Sequence, residues 1–384
     1  MAVKRKISVT TGSRAEYGIL RPVLKEIQKS KHLRLYLIVA GMHLSKKQGY
    51  TINEIKKDGF KIYSTVTMLS KENTNYGMTN SLGKGIIGFS KIYQKLQPNI
   101  NIILGDRDEA FASAIASSHM NIPNAHIHGG DKTKAGIDEY NRHAITKISN
   151  IHFAATEQSK KRILKLGENP KYVFFTGSPS IDEIRKKKIT NKNDLRKKFK
   201  IDFKGEEIII LHHPVTTEIN KSVKEVKMIL ESIKELKKNT IVIGPNSDAG
   251  SDKILNEIMT YTRKYPFIRV YKNISRSDYL GFLNNAGVLI GNSSSGLIEG
   301  SYFDIRIIDI GIRQSDREHG NNVIRIRDVS KENISRVVLK SLKLRKKNLR
   351  PVKVYGDGNA SKKIIKVLKD IKIDEKLIKK QIFY

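Results

Sequence analysis

The 384-residue chain carries 72 Lys plus Arg against 38 Asp plus Glu, a formal charge of +34, and has no cysteine. Disulfides, thiolate nucleophiles and cysteine-type zinc sites are thereby excluded, and the length points to two domains rather than one core. No segment reaches the ~20 apolar residues of a membrane span, and the apolar stretch at the start is too short for a signal peptide, so the expectation is a cytoplasmic protein without a membrane partner.

Taken in chain order, short apolar runs alternate with amphipathic stretches. Residues 6–12 read as a strand ending in a glycine turn, and 15–30 as a helix with Ile19, Val23 and Ile27 along one side. Strands follow at 33–41 and 99–106, a helix at 109–121, a strand at 122–130, a helix at 137–149 and a strand at 151–157. A helix at 157–167 and a strand at 172–180 close the first half.

The run 185–204, "RKKKITNKNDLRKKFKIDFK", is the densest in charge, with ten Lys or Arg in twenty residues. It has few aromatics and no zinc-finger or RNA-binding pattern, so it reads as a solvated helix and loop, and no specific nucleic-acid partner is expected. Beyond it the rhythm restarts, with strands at 206–214, 240–246, 267–273, 288–296 and 305–311 separated by helical stretches. The tail "ASKKIIKVLKDIKIDEKLIKKQIFY" reads as one amphipathic basic helix.

Such alternation predicts an α/β protein made of two doubly wound, Rossmann-like domains in tandem. The expected division is 1–178 and 179–361, with the C-terminal helix at 362–384 packing back on the first domain. Ligands of such sheets gather at the C-terminal ends of the strands, and seven strand ends here carry polar loops. "TGSRAEYG", "GDRDEA" and "HGGDKT" do so in the first half, and "HHPVTTE", "GPNSDAGS", "GNSSSGLIE" and "GIRQSDRE" in the second.

The densest chemistry lies at 126–147, "HIHGGDKTKAGIDEYNRHAITK", which packs three histidines and three carboxylates between a strand and a helix. A metal site is disfavoured. His143 lies five residues beyond Asp138, not at the i, i+4 spacing of a helical ligand pair, and the adjacent His212 and His213 diverge. An acid/base site is better supplied. Asp106, Asp131 and Asp138 come from neighbouring loops, Arg142 and His143 follow within a helical turn or so, and clustered carboxylates push one another's pKa values apart. "GNSSSGLIE" is a Gly/Ser turn into a helix that suits a phosphate, whereas neither a Walker loop nor a GxGxxG fingerprint is present, so no nicotinamide or other cofactor is expected.

Taken together and in order, "GSRAEYGILRPV", "GDRDEA", "HIHGGDKTKAGIDEYNRHAITKIS", "HFAATE", "TGSPSID", "HHPVTTE", "PNSDAGS", "YKNISRSDYL", "GNSSSGLIE" and "GIRQSDRE" resemble the UDP-N-acetylglucosamine 2-epimerases. The resemblance runs from about residue 6 to about residue 330 and is closer to the hydrolysing branch of sialic and legionaminic acid synthesis, through "GGD..T.AGIDE..RHAITK". It implies a GT-B-like pair of domains facing across a cleft. It also implies a reaction in which a base takes the C2 proton, UDP leaves C1, and water adds to the 2-acetamidoglucal to give N-acetylmannosamine.

The catalytic positions carried over are Asp106, Asp138 and His213. Where relatives of the branch read "HGGE", this chain has Asp131, one methylene shorter, and His128 falls where other members have a carboxylate, which leaves the division of acid/base work between His128 and Asp131 open. Arg14 resembles the phosphate-contacting arginine of the first loop. Ser293 and Ser294 resemble the diphosphate site and Glu299 the ribose site, Arg313 also faces the nucleotide, and Ser295, Gly296, Asn246 and Asn273 are further substrate or nucleotide contacts. Arg142 and His143 stand beside the acid/base groups to steady charge.

The resemblance further implies a UDP-sugar partner and a homodimer. It leaves a 2,4-diacetamido-6-deoxy sugar on UDP or GDP as the alternative substrate. A non-hydrolysing epimerase and a glycosyltransferase of the same fold remain as rival readings.

Overall fold

In the computed structural model, which describes residues 4–72, 74–134, 136–186, 189–246, 248–272, 274–344 and 353–383, the alternation resolves into two units. The first comprises Met1–Lys132, Ile137–Arg185 and Tyr355–Tyr384; the second comprises Thr133–Gly136 and Lys186–Val354. The short helix at 179–185 therefore belongs to the first unit.

The first unit runs β1 (Arg5–Thr11), α1 (Arg14–Lys29), β2 (Leu33–Ala40), α2 (Ile52–Lys57), β3 (Ile62–Val66) and α3 (Asn75–Leu96). It continues with β4 (Ile100–Leu104), α4 (Asp108–His119), β5 (Asn124–Ile127), α5 (Ile137–Lys147) and β6 (Ile151–Ala154). Then come α6 (Glu157–Lys165), β7 (Val173–Phe175) and α7 (Pro179–Arg185). All strand pairs are parallel, in the order β3-β2-β1-β4-β5-β6-β7. Helices cover both faces, so the central strands are apolar almost throughout. Ile7, Val9 and Leu37 pack with Leu20, Leu24 and Ile27 of α1 on one side, while Ile38 packs with Phe89, Tyr93 and Ala112 on the other.

Sequence reading gives no counterpart for α3. Its glycines 77, 83, 85 and 88 each weaken a helix by about 1 kcal/mol relative to Ala, which hides the helical pattern. Packing explains two of them: an added Cβ would stand 2.8 Å from Ala112 Cβ at Gly85 and 2.6 Å from Val66 Cγ1 at Gly88.

The second unit runs α8 (Lys192–Phe199), β8 (Ile208–Leu211), α9 (Ile219–Leu236), β9 (Thr240–Ile243), α10 (Ser251–Lys264) and β10 (Ile268–Tyr271). It continues with α11 (Arg276–Asn285), β11 (Val288–Gly291), α12 (Ser294–Glu299), β12 (Arg306–Ile310), β13 (Val323–Ile326) and α13 (Lys331–Lys343). Its parallel sheet is ordered β10-β9-β8-β11-β12-β13.

The tail is not one helix but two, α14 (Ala360–Asp370) and α15 (Glu375–Ile378). Ile371 turns to extended backbone after α14, and Asp374 caps α15 by accepting from Leu377 N at 3.0 Å. Ile364, Ile365 and Leu368 bury against the first unit's core, and the Arg5 guanidinium donates to Leu368 O. Among the described residues no helix is long and apolar enough to cross a membrane.

Both sheets change winding direction once, between β1 and β4 in the first unit and between β8 and β11 in the second. Strands diverge there and their end loops open a crevice where ligands bind in folds of this kind.

Candidate functional site

At the first unit's switch point, β1 ends in Gly12 and Ser13, and Ser13 caps α1 by accepting from Glu16 N at 3.4 Å. Arg14 opens the helix with its Nε 3.1 Å from Glu54 Oε2. Glu16 reaches back to accept from Gly12 N at 3.2 Å. Burial first, and the neighbouring Glu109 second, push its carboxyl up to about 7. Gly12 is required because an added Cβ would lie 2.5 Å from Glu109 Cδ.

Across the switch point β4 leads through Gly105 to Asp106. His126, the third residue of β5, is fully buried and held well below the usual histidine range, at about 3, by that burial. Its ring is neutral, and Nε2 donates to Gly105 O at 2.7 Å. His126 thus fixes the loop that carries Asp106.

The 126–147 stretch then folds back on that loop. His128 takes a left-handed backbone (φ +66°), uncommon for a side chain of this size. The turn aims its Nδ1 at Asp131 Oδ2, 2.9 Å away, and its Nε2 at Ser178 Oγ, 2.8 Å away. The other Asp131 oxygen accepts from Ser159 Oγ at 2.7 Å. Gly130 (φ +72°) must be glycine, since a Cβ would stand 2.4 Å from Ser159 O. From α5, Arg142 pairs with Asp106 and donates to His128 O at 3.1 Å. Asp106, His128, Asp131 and Arg142 are therefore one bonded cluster, with His128, Asp131 and Arg142 at most 4% exposed. Asp138 stands half-buried in the first turn of α5. His143 is turned to Glu139 of the same helix, Nε2 to Oε1 at 3.0 Å.

In the second unit, β8 ends in His212 and His213, and β11 ends in Gly291 and Asn292. The Asn292 carboxamide bridges the two loops: Oδ1 accepts from His213 N at 2.8 Å and Nδ2 donates to His213 O at 2.8 Å. His213 Nδ1 accepts from Asn246 N at 3.2 Å, so a neutral ring carries its proton on Nε2. Ser293 precedes α12 as its N-cap, Ser294 begins the helix, and Ser295 Oγ lies 2.5 Å from Tyr279 OH. Gly296 packs α12 onto Leu289, whose Cδ2 a Cβ would meet at 3.0 Å. Glu299 is buried with an oxygen 2.5 Å from Arg276 Nη1. Arg313 donates from Nη1 to Asn292 O at 3.2 Å, and its own carbonyl accepts from Thr133 Oγ1 and Lys134 N at 3.0 and 2.7 Å. Asn273 lies outside the described residues. Among the described residues no group of three or more His, Asp or Glu is placed to hold a metal ion.

Several residues of these clusters are not singled out by sequence: Ser159 and Ser178 around the His128–Asp131 pair, and Asn292, Arg276 and Gln314 in the second unit. Gln314 is fully buried and donates to Asn292 O at 3.1 Å. Asn292 does fall inside "GNSSSG", but a buried amide between two loops has no periodicity to announce it.

Residues 25–369 match the family model described as UDP-N-acetylglucosamine 2-epimerase. The chain is 34% identical to the UDP-N,N'-diacetylbacillosamine 2-epimerase (hydrolyzing) of Legionella pneumophila, over 98% of each chain. It is 38% identical to polysialic acid biosynthesis protein P7 of Escherichia coli, over 83% of this chain and 82% of that one. Among solved structures it resembles, with a TM-score of 0.79 and 19% identity, the UDP-GlcNAc 2-epimerase of Neisseria meningitidis bound to UDP-GlcNAc. The match covers 94% of this chain and 99% of that one, and it identifies the fold as GT-B-like.

Proposed function

The chain belongs to the UDP-N-acetylglucosamine 2-epimerase family, on its hydrolysing branch, and on that premise we propose that it converts a UDP-linked 2,4-diacetamido sugar to the free C2-inverted sugar and UDP. The observation that carries the chemistry is the bonded cluster of Asp106, Arg142, His128 and Asp131 at the ends of β4 and β5. The choice of sugar is supported by the likeness to the Legionella enzyme, which spans nearly all of both chains.

Asp106 or Asp138, as a carboxylate, takes the C2 proton. The C1–O bond to the diphosphate breaks and its electron pair leaves with UDP, giving the C1=C2 glycal. Water then adds hydroxyl to C1 and a proton to C2 on the opposite face, which inverts C2. Arg142 balances the charge of Asp106, and Asp131 orients His128 for proton return. His213, with its proton on Nε2, suits protonation of the departing diphosphate. Arg14, Arg313, the serines 293–295 and Asn246 offer donors to the diphosphate and uridine, and Glu299, held by Arg276, an acceptor to the ribose. In this reading the enzyme is a cytoplasmic homodimer that uses no metal, and it needs no nicotinamide because the elimination and hydration leave oxidation states unchanged overall.

A second substrate, UDP-N-acetylglucosamine, is favoured by the 31% identity, over 83% of each chain, to a UDP-N-acetylglucosamine 2-epimerase of Neisseria meningitidis. Proton NMR of the purified enzyme in D2O with each nucleotide sugar separates the two. Free sugar deuterated at C2, formed with UDP from the diacetamido substrate alone, is the expected result. Turnover of UDP-N-acetylglucosamine to N-acetylmannosamine would transfer the assignment to that sugar. A product that keeps its nucleotide would mark a non-hydrolysing epimerase, and no turnover without an acceptor a glycosyltransferase.

A further inference from the structure

A buried asparagine whose amide is saturated by one neighbour's backbone is an expensive way to fill space, because every polar atom must find a partner. Asn292 is 1% exposed. Its Oδ1 takes the N–H of His213 and its Nδ2 gives to the C=O of His213, both at 2.8 Å. The two backbone partners fix which end of the amide is oxygen. Nδ2 also lies 3.2 Å from His212 Nε2. The side chain thereby acts as a short stretch of β-partner for His213 just where β8 has ended and β11 offers no further backbone. Meanwhile the Asn292 carbonyl receives Arg313 Nη1 at 3.2 Å and Gln314 Nε2 at 3.1 Å.

We propose that Asn292 is the positioning residue of the strand-end cluster of the second unit, its side chain setting the place and tautomer of His213 while its main chain seats Arg313. The inference rests on the reading of His213 as a proton-transfer group in a nucleotide-sugar 2-epimerase. An amide is required. Aspartate, nearly the same shape, keeps the acceptor for His213 N but turns the donating end into a second acceptor facing His213 O, so that loop must move. The Nδ1 contact to Asn246 N, 3.2 Å long, depends on that placement. Arg313 is held by a backbone carbonyl that the substitution leaves in place.

The prediction is therefore a split. Asn292→Asp lowers kcat about 100-fold, as for a misplaced proton-transfer group, with UDP affinity by calorimetry kept within about 3-fold. In a His213→Gln background the same substitution has little further effect on kcat, because it acts through His213. Histidine-selective 15N NMR, with His213 assigned by the His213→Gln variant, supplies a readout independent of turnover. Wild type shows the Nε2–H tautomer at this ring, and Asn292→Asp shows a mixture. A His213 signal unchanged by Asn292→Asp, or an equal kcat loss in both backgrounds, would overturn the proposal. Were wild-type enzyme to turn over no nucleotide sugar, the functional reading would fail, and the NMR comparison would still decide whether Asn292 sets the ring.

Discussion

His128 Nδ1 stands 2.9 Å from Asp131 Oδ2, and the second Asp131 oxygen is taken by Ser159 Oγ at 2.7 Å. Both carboxylate oxygens are thus engaged inside the protein, and Asp131 acts on its surroundings through the imidazole. Asp131→Asn keeps the shape but offers an N–H or a single acceptor to two donors. The expected outcome is a loss in kcat of about 10⁴-fold, of the order seen when an orienting aspartate is amidated elsewhere, with KM little changed. Steady-state UDP release measures it. A variant within a few-fold of wild type would show that the pair is structural.

Arg142 is 4% exposed and pairs with Asp106 while donating to His128 O. Removing the guanidinium leaves a half-buried carboxylate without its partner, which typically costs about 3–5 kcal/mol. Arg142→Met should lower the urea unfolding free energy by about 3 kcal/mol and abolish turnover. Arg142→Lys should recover much of the stability and less of the activity, since an ammonium cannot reach Asp106 and the His128 carbonyl with one rigid fork. Equal recovery of both would argue that charge alone matters.

Much of this arrangement is visible in sequence because it is periodic or local. The strands at 33–41 and 99–106 and the helix at 137–149 each announce themselves by apolar spacing, and the motif from His126 to Lys147 lies in one continuous stretch. What is not visible is non-local. Ser178 meets His128 across fifty residues, and Asn292 meets His213 across seventy-nine. Such contacts leave no pattern in a single chain. Nor does a helix such as α3, whose glycines are chosen by the close approach of Ala112 and Val66 against their own propensity. The amphipathic pattern of the tail likewise runs on through the break at Ile371, and the cap at Asp374 that starts α15 leaves its apolar spacing unmarked.

Glu16 sits buried behind Gly12 with its carboxyl pushed up to about 7, by burial first and by Glu109 second. A raised folded pKa means that the folded state holds the proton between about 4.5 and 7 while the unfolded chain has lost it. The stabilisation is full below 4.5 and disappears as pH rises through 7. Glu16→Gln mimics the protonated form and keeps an acceptor for Gly12 N. It should match wild type at pH 4.5 and exceed it at pH 8 by roughly 3 kcal/mol, the size of a shift of this order. Urea titrations at the two pH values test this, and a difference independent of pH would exclude Glu16 as the titrating group.

Glu168 makes the opposite case at the far end of α5. It accepts from His152 Nε2 at 3.0 Å, Lys147 Nζ at 2.9 Å and Lys380 Nζ at 2.6 Å, and Lys380 also donates to the Lys147 and Ser149 carbonyls at 2.6 and 2.7 Å. Burial alone would raise the carboxyl, but the hydrogen bonds and charges of His152 and Lys380 outweigh it and bring the group down to about 2. A depressed folded pKa contributes stability that is present above 4.5 and lost as pH falls through 2. Glu168→Gln should therefore be less stable than wild type at pH 7 by about 2 kcal/mol, after discounting for solvent screening, and the gap should close toward pH 2. Because Lys380 ties the C-terminal tail to the last turn of the helix that carries Arg142, loss of its carboxylate partner also loosens that turn. Amide hydrogen exchange at residues 145–149 should quicken in the variant, and unchanged exchange there would separate the tail's ion pairs from the rigidity of α5.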